Sequence, residues 1–544
     1  MASFKDKVVY QIYPKSFQDS NGDGLGDLRG VIQRLDYLKD LGVDYLWLTP
    51  FFPSPQKDNG YDVSNYCEVD SRFGTMADFD ELVKSADEKG LKIMLDMVLC
   101  HTSDQHEWFQ KAINGDENYQ RYYIFRDGRG DNEPPTNWQC AFGGSAWQWE
   151  PHLKKWYLHL HDVSQPDLDW TNPKVREELA NVVRFWKDRG VAGFRFDVIN
   201  LISKPEVFED DTEGLGRKLF ADGPHVHEYL RELVKNSGID GMITVGEMAS
   251  TDLKNCLLYT RPEDHELSMV FSFHHLKVDY KNGDKWSLMN ADIHELKKLF
   301  EEWQVGMSKS GGWNAVFWCN HDQPRAVSRF GDDGIESAKT LATTIHLMRG
   351  TPYVYQGEEL GMTNAKFTSI EQYRDVESLN YYKILLEQGK SESDALKIIG
   401  ERSRDNSRTP MQWSAEKFAG FSTAEPWISS PKNFETINVE NELRDKNSVL
   451  NFYKMLIKFR KDNPIVQDGD IEFIERDNDD VVAYRRTLDS KELIVICNFR
   501  NSEVKLQDRS LSEYLAAGYK KILGNYESIG TNLRPYESIV FSQA

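Results

Sequence analysis

The chain alternates two kinds of hydrophobic pattern. Short apolar runs rich in β-branched and aromatic residues, at 8–14, 45–50, 92–98, 193–197, 242–247, 269–274, 315–322 and 352–358, are separated by longer stretches whose apolar positions recur with helical spacing. Brief continuous apolar runs predict strands buried on both faces, and strands that alternate with amphipathic helices predict parallel βα units. Eight such runs predict a closed (β/α)₈ TIM barrel, an α/β fold whose C-terminal strand ends carry the chemistry.

The alternation breaks twice. Residues 102–170 are rich in Trp, Gly, Asn and Pro without a βα rhythm, which predicts a lobe inserted after the third strand at the barrel mouth. From residue 465 the pattern changes to short alternating strands, 480–487 and 492–498 among them, and predicts a C-terminal antiparallel β domain over 465–544. The barrel is then assigned residues 1–101 and 171–464.

Several of the predicted strands end on a charged or polar residue. GFRFD puts Asp197 at the end of the fourth, two residues after Arg195 and so on the same strand face; VGE ends the fifth on Glu247, and NHD ends the seventh on Asp322. A neighbouring guanidinium favours the ionised carboxylate. Acids that converge on one mouth suit glycoside cleavage, in which one carboxylate attacks the anomeric carbon of an oxocarbenium-like transition state and a protonated partner supplies the leaving oxygen's proton. A retaining pair stands about 5–5.5 Å apart, and a third carboxylate nearby raises the pKa of the acid. One strand-end acid alone is more often a surface or ion-pair residue; three at one mouth are not.

Charge and composition narrow the ligand. The formal net charge of −21 opposes nonspecific binding to nucleic acid or an anionic membrane, so a neutral ligand, or one held by a few local cations, is expected. The 14 Trp and 24 Tyr are enough to serve both cores and sugar faces. Six scattered cysteines without a CxxC pair, a start that lacks a basic-then-apolar leader, and the absence of an apolar run of about 20 residues lead to the expectation of a soluble protein in a reduced, cytoplasmic setting.

Near the N-terminus, DSNGDGLGD spaces oxygen donors at alternate positions: Asp19, Asn21, Asp23, the Leu25 carbonyl and Asp27, with Gly24 at the sixth place of an EF-hand-like loop. The twelfth place is Gly30 instead of a bidentate Glu, so a complete EF-hand is not expected. Hard oxygens at this density predict a structural Ca²⁺, or Mg²⁺. An Asp/Gly-rich turn with no ion has the same composition.

DMVLCH (96–101), GFRFD (193–197), GE (246–247) and VFWCNHD (316–322) resemble, in order, the signature regions of the alpha-amylase family of glycoside hydrolases, and the resemblance extends over essentially the whole chain. It implies Asp197 as nucleophile, Glu247 as general acid/base and Asp322 as transition-state stabiliser, with His101, Arg195 and His321 lining a glucose subsite. Asp62 of NGYD and Arg408 of RDNSRTPMQW resemble the acid and arginine that clamp the non-reducing glucose in α-glucosidases. Cys100 departs from the pattern, which usually carries Asn before the histidine. In the lobe, Phe142 and Trp147 are of a type that either stacks on sugar or fills core.

QPDLD (165–169) and Val198 after the nucleophile resemble the oligo-1,6-glucosidase branch, and the run 266–286 resembles those members that hydrolyse α,α-trehalose 6-phosphate. That likeness implies glucose and glucose 6-phosphate as products and a small phosphorylated disaccharide as the partner, with isomaltose-type oligosaccharides as the alternative substrate. His274, His275, Lys277, Lys281 and Lys285 follow the sixth strand, and Lys277 and Lys285 are the phosphate candidates. Without the resemblance these lysines read as solvated surface charges.

Overall fold

The structure is a computed structural model that describes residues 4–130, 133–212 and 214–543. Strands β1 (Val9–Ile12), β2 (Tyr45–Leu48) and β3 (Lys92–Met97) precede a lobe with β4 (Phe125–Arg126), β5 (Trp147–Glu150) and β6 (Lys155–Leu158). The chain then returns through β7 (Gly193–Phe196), β8 (Ile243–Glu247), β9 (Met269–Phe271), β10 (Asn314–Val316) and β11 (Thr351–Tyr355). Strands β1–β3 and β7–β11 close in sequential order into one barrel, every pair parallel. Apart from the exposed Lys92 and partly exposed Glu247, their residues are buried, as a sheet covered on both faces requires.

The crossover helices follow their capping chemistry. The helix Pro173–Asp188 opens with the Asn172 side chain accepting from the Lys174 amide and with Pro at its first position, and it buries Val175, Leu179, Val182, Val183 and Trp186 along one stripe. The next, Val226–Ser237, stops at Gly238, whose φ of 71° is the left-handed conformation that glycine adopts without a Cβ penalty.

The lobe carries a small antiparallel sheet in the order β4-β6-β5. After the barrel, β12 (Asp470–Ile474), β13 (Val481–Leu488), β14 (Lys491–Asn498), β15 (Lys520–Gly524) and β16 (Ser538–Gln543) form a second antiparallel sheet in the order β12-β13-β14-β16-β15. Period-two alternation splits its side chains between two cores. Val481, Ala483, Ile494, Ile496, Ile539 and Phe541 pack with Leu511 and Tyr514 on one face, whereas Val482, Tyr484, Val495, Cys497 and Val540 join the barrel core on the other. The Tyr484 hydroxyl donates to the Thr344 carbonyl at 2.7 Å, tying the sheet to a barrel helix. No helix among the described residues is long and apolar enough to cross a membrane.

Candidate active site

The C-terminal ends of β3, β7 and β8 converge on one guanidinium. Arg195, 1% exposed, donates from one nitrogen to Asp96 Oδ1 at 2.6 Å and Asp197 Oδ1 at 2.7 Å, and its other terminal nitrogen contacts Glu247 Oε2. Glu247 reaches this position because β8 runs close to its neighbours at Gly246, where a Cβ would lie 2.6 Å from Leu267 and 2.7 Å from Met248. Just after Asp197, Val198 takes φ 34°, a left-handed conformation that is strained for a β-branched residue and turns the chain sharply under the mouth. Asp96 also accepts from Tyr61 at 2.9 Å and Trp47 at 3.1 Å; burial pushes its carboxyl up to about 6 against the pull of Arg195.

Asp322 faces the same space from beyond β10. Its carboxylate lies 3.1 Å from His321 Nε2, accepts from Arg408 at 2.8 Å and from Arg404 at 3.2 Å. Desolvation opposes its ionisation, and His321, Arg404 and Arg408 overcome that cost and hold it well below the usual carboxylate range. The Gln11 amide donates to His321 Nδ1 at 2.8 Å, which leaves the proton on Nε2, facing Asp322; burial lowers the imidazole pKa and favours this neutral form. The Tyr61 ring stacks on His321 at 4.9 Å and 3°. Buried His101 donates from Nε2 to the Tyr61 carbonyl at 3.1 Å, and its Nδ1 has no partner among the described residues.

Asp62 and Arg408, grouped as a clamp on resemblance, do not pair. Asp62 folds back on its own turn, accepting from the Lys57 amide at 2.8 Å, the Asp58 amide at 3.1 Å and the Ser54 hydroxyl at 2.8 Å. The ion pair across the mouth is Asp58–Arg404, at 2.9 Å, and burial raises Asp58 to about 7 against the opposing pull of Arg404. Arg408 is fully buried behind Asp322 and Asp375. Asp58, Arg404, Asp375, Tyr61 and Asp96 are site residues that sequence reasoning did not single out.

In the lobe, the Arg404 guanidinium sits 4.8 Å over the Phe142 ring, so Phe142 faces the mouth. Trp147 instead fills lobe core, with its indole donating to Thr136 at 2.8 Å and its ring against Phe208. Cys100 lies under a buried pair, Lys204–Asp167, at 2.7 Å; its sulfur is 3.5 Å from Asp167 and 3.7 Å from Lys204, and burial pushes its thiol up, so it remains neutral there.

The two lysine candidates separate. Lys285 is held by Glu377 at 2.6 Å. Lys277 is exposed at the end of the turn His274–Lys277, in a crowded mouth where desolvation and the nearby Arg217 charge both lower its ammonium pKa. His275 is buried and bonded to the Phe317 carbonyl at 2.8 Å, and belongs to the core.

In the N-terminal loop, Asp19 accepts from the amides of Asn21, Gly22 and Gly24 and from Ser422, while Asp27 accepts from Ser20 and caps the next helix at Gly30. Asn21 accepts from the Asp23 amide, and Asp23 from that of Leu25. Among the described residues no three His, Cys, Asp or Glu side chains gather tightly enough to hold a metal by themselves. An ion here therefore requires the amide oxygen of Asn21 and the Leu25 carbonyl beside the carboxylates, a hard-oxygen set of the kind calcium takes.

A sequential parallel barrel with three acids at its mouth, an antiparallel C-terminal sheet and a lobe after β3 define a class of enzyme. The model of the alpha amylase catalytic domain matches residues 11–469, and the chain belongs to the alpha-amylase family of glycoside hydrolases. Within it, the chain is 50% identical to the trehalose-6-phosphate hydrolase of Bacillus subtilis over 99% of this chain and 98% of that protein. It is 47% identical to the oligo-1,6-glucosidase of Bacillus cereus, over 99% of each. The crystal structure of Bacillus licheniformis trehalose-6-phosphate hydrolase superposes with a TM-score of 0.93 at 49% identity, covering 99% of both chains.

Proposed function

We propose that the chain hydrolyses α,α-trehalose 6-phosphate with retention, giving glucose and glucose 6-phosphate. The observation that carries the reaction is the single Arg195 guanidinium touching both Asp197 and Glu247, an arrangement compatible with the ~5–5.5 Å separation of a retaining pair. The Glu247 carboxyl gives its proton to the bridging oxygen while Asp197 attacks the anomeric carbon of the unphosphorylated glucose, and glucose 6-phosphate leaves. Glu247, now a carboxylate, takes a proton from water, which attacks the same carbon and frees Asp197. Asp322, His321 and His101 hold the ring hydroxyls, Asp58–Arg404 closes the far end, and Phe142 walls the lobe side. The near full-length likeness to trehalose-6-phosphate hydrolases supports the substrate, as does Lys277, a cation with no carboxylate partner among the described residues in an acidic protein. Lys285, already neutralised by Glu377, contributes less to phosphate binding. A dianionic sugar does not cross a membrane unaided, which fits a cytoplasmic setting.

Isomaltose-type oligosaccharides are the second reading, favoured by the likeness to the Bacillus cereus oligo-1,6-glucosidase. Both use the same acids and differ in how the leaving glucose is held. Steady-state rates on trehalose 6-phosphate, trehalose and isomaltose decide between them. Lys277→Ala is expected to lower kcat/KM for trehalose 6-phosphate by about 10- to 100-fold and to leave unphosphorylated trehalose unchanged. A wild-type enzyme indifferent to the phosphate assigns the second reading.

We also propose a structural Ca²⁺, with Mg²⁺ as the alternative, on Asp19, Asn21, Asp23, Asp27 and the Leu25 carbonyl. The support is the donor chemistry alone. At a hundredfold excess over Kd, calcium is expected to raise the melting temperature of chelator-treated protein by roughly 2 °C for a chain of this size, an effect that Asp23→Ala abolishes. Equal melting curves with calcium and with chelator would remove the ion from the loop.

A further inference from the structure

On the flank of the barrel, a cavity of 580 Å³ opens between the segment before the helix Ile293–Lys309, the turn at Ser328–Gly331, the helix Glu392–Arg402 and the loops of the C-terminal sheet. Its floor is an uneven ion cluster. Arg329 donates to Asp279 Oδ2 at 2.8 Å and Oδ1 at 2.7 Å, while Arg402 contacts the same carboxylate and donates to the Asp279 carbonyl at 2.6 Å. Two guanidiniums thus share one negative charge, although Arg402 and Asp279 are each only 3% exposed. The Nε–H of Arg402 has no partner among the described residues. The Tyr280 ring lies 5.3 Å from both guanidinium carbons and offers the surplus charge a π face and a neutral hydroxyl.

The rim adds Lys397 and Arg500, the latter bonded to Asp480 at 2.6 Å, against one further carboxylate, Glu401. Four cations face two lining carboxylates in a protein whose net charge is −21. A concave, polar-walled space with a buried surplus of guanidinium is a place for a compact oxyanion, and a tetrahedral dianion matches the arginine forks best. The floor also lies one step from the catalytic mouth: Arg329 donates to Gln323, next to Asp322, at 2.9 Å, and Arg402 stands two residues before Arg404.

We propose that this cavity is a second anion site, separate from the mouth at Lys277, that binds a phosphate dianion, free or carried on a sugar. The reading does not depend on the substrate. Calorimetric titration of the full-length protein with inorganic phosphate, and separately with glucose 6-phosphate, tests it in the wild type, in Lys277→Ala and in the Lys397→Ala, Arg500→Ala double variant. The expected result is a phosphate site, distinct from any at the mouth, that Lys277→Ala leaves unchanged and the double variant weakens by about tenfold or more. Tighter binding of glucose 6-phosphate than of phosphate at that site assigns the sugar ester; equal affinities assign the free ion. Lys397→Glu, on an exposed helix face, repeats the test should the double variant melt early. Wild-type-like titration by a folded double variant, or binding lost altogether in Lys277→Ala, would overturn the proposal.

Discussion

Replacing Asp197 by asparagine is expected to reduce glucose release by about 10⁴-fold or more while leaving the fold intact. The substitution keeps the volume and still offers an oxygen to the Arg195 nitrogen that now lies 2.7 Å away, so the packing of a side chain only 7% exposed is preserved. What is lost is the charge and the nucleophilic oxygen pair, which the second step cannot replace with water because no glycosyl-enzyme has formed. Two further readings separate a nucleophile from a merely structural acid. In Asp197→Gly, added azide should restore turnover of an activated α-glucoside and give the β-glucosyl azide, the product of a single inverting displacement. In Glu247→Gln, an activated α-glucoside should still glycosylate the enzyme, because its leaving group needs no proton, and the covalent adduct should accumulate for mass spectrometry. Glucose release by Asp197→Asn within tenfold of the wild type would end the nucleophile assignment.

The acids were legible because each closes an apolar run, and a sequential parallel barrel carries all such ends to one rim. The arginine that joins them was legible for the same reason, two residues from Asp197 on one strand face. The clamp was not. Asp58 and Asp62 bracket the same NGYD turn, and Arg404 and Arg408 are one helical turn apart in RDNSR, so composition offers two candidates at each end. The turn decides: Asn59 at φ 48° and Gly60 at φ 108° reverse the chain, bring the Asp62 oxygens onto the amides behind it and leave Asp58 facing Arg404. Both arginines then reach Asp322 from successive turns. The ion pair of Lys285 was not legible for a different reason. Its partner Glu377 lies 92 residues away on a helix whose docking no local pattern announces. The buried Lys204–Asp167 pair in contact with Cys100 is equally silent in sequence, since neither residue sits in a periodic position next to the other.

Arg195→Met should be the most damaging change that leaves all three acids in place. The methionine fills most of the space, but Asp96, Asp197 and Glu247 lose the cation they share, and Asp96 and the guanidinium are both essentially fully buried. Breaking such a pair costs about 3–5 kcal/mol when the remaining charges cannot escape to water. Here they can escape only by taking up protons. Asp96 already stands near 6 with the arginine present, so without it that carboxyl must rise further, and removing the shared cation disfavours each ionised carboxylate it touched. The acidic limb of kcat/KM is therefore expected to move up by about a unit or more, with activity at neutral pH down by about 10³-fold. Stability gives an independent reading with its own sign. An acid whose folded pKa exceeds its unfolded value of about 3.9 binds more protons in the native state, so stability falls as pH rises through that interval. The melting-temperature gap between wild type and variant should thus be smaller at pH about 5 than at about 8, where the carboxylates are forced to ionise unpaired. A gap that stays constant with pH, together with an unmoved acidic limb, would mean that Arg195 serves packing alone and that the charge balance of the mouth lies elsewhere.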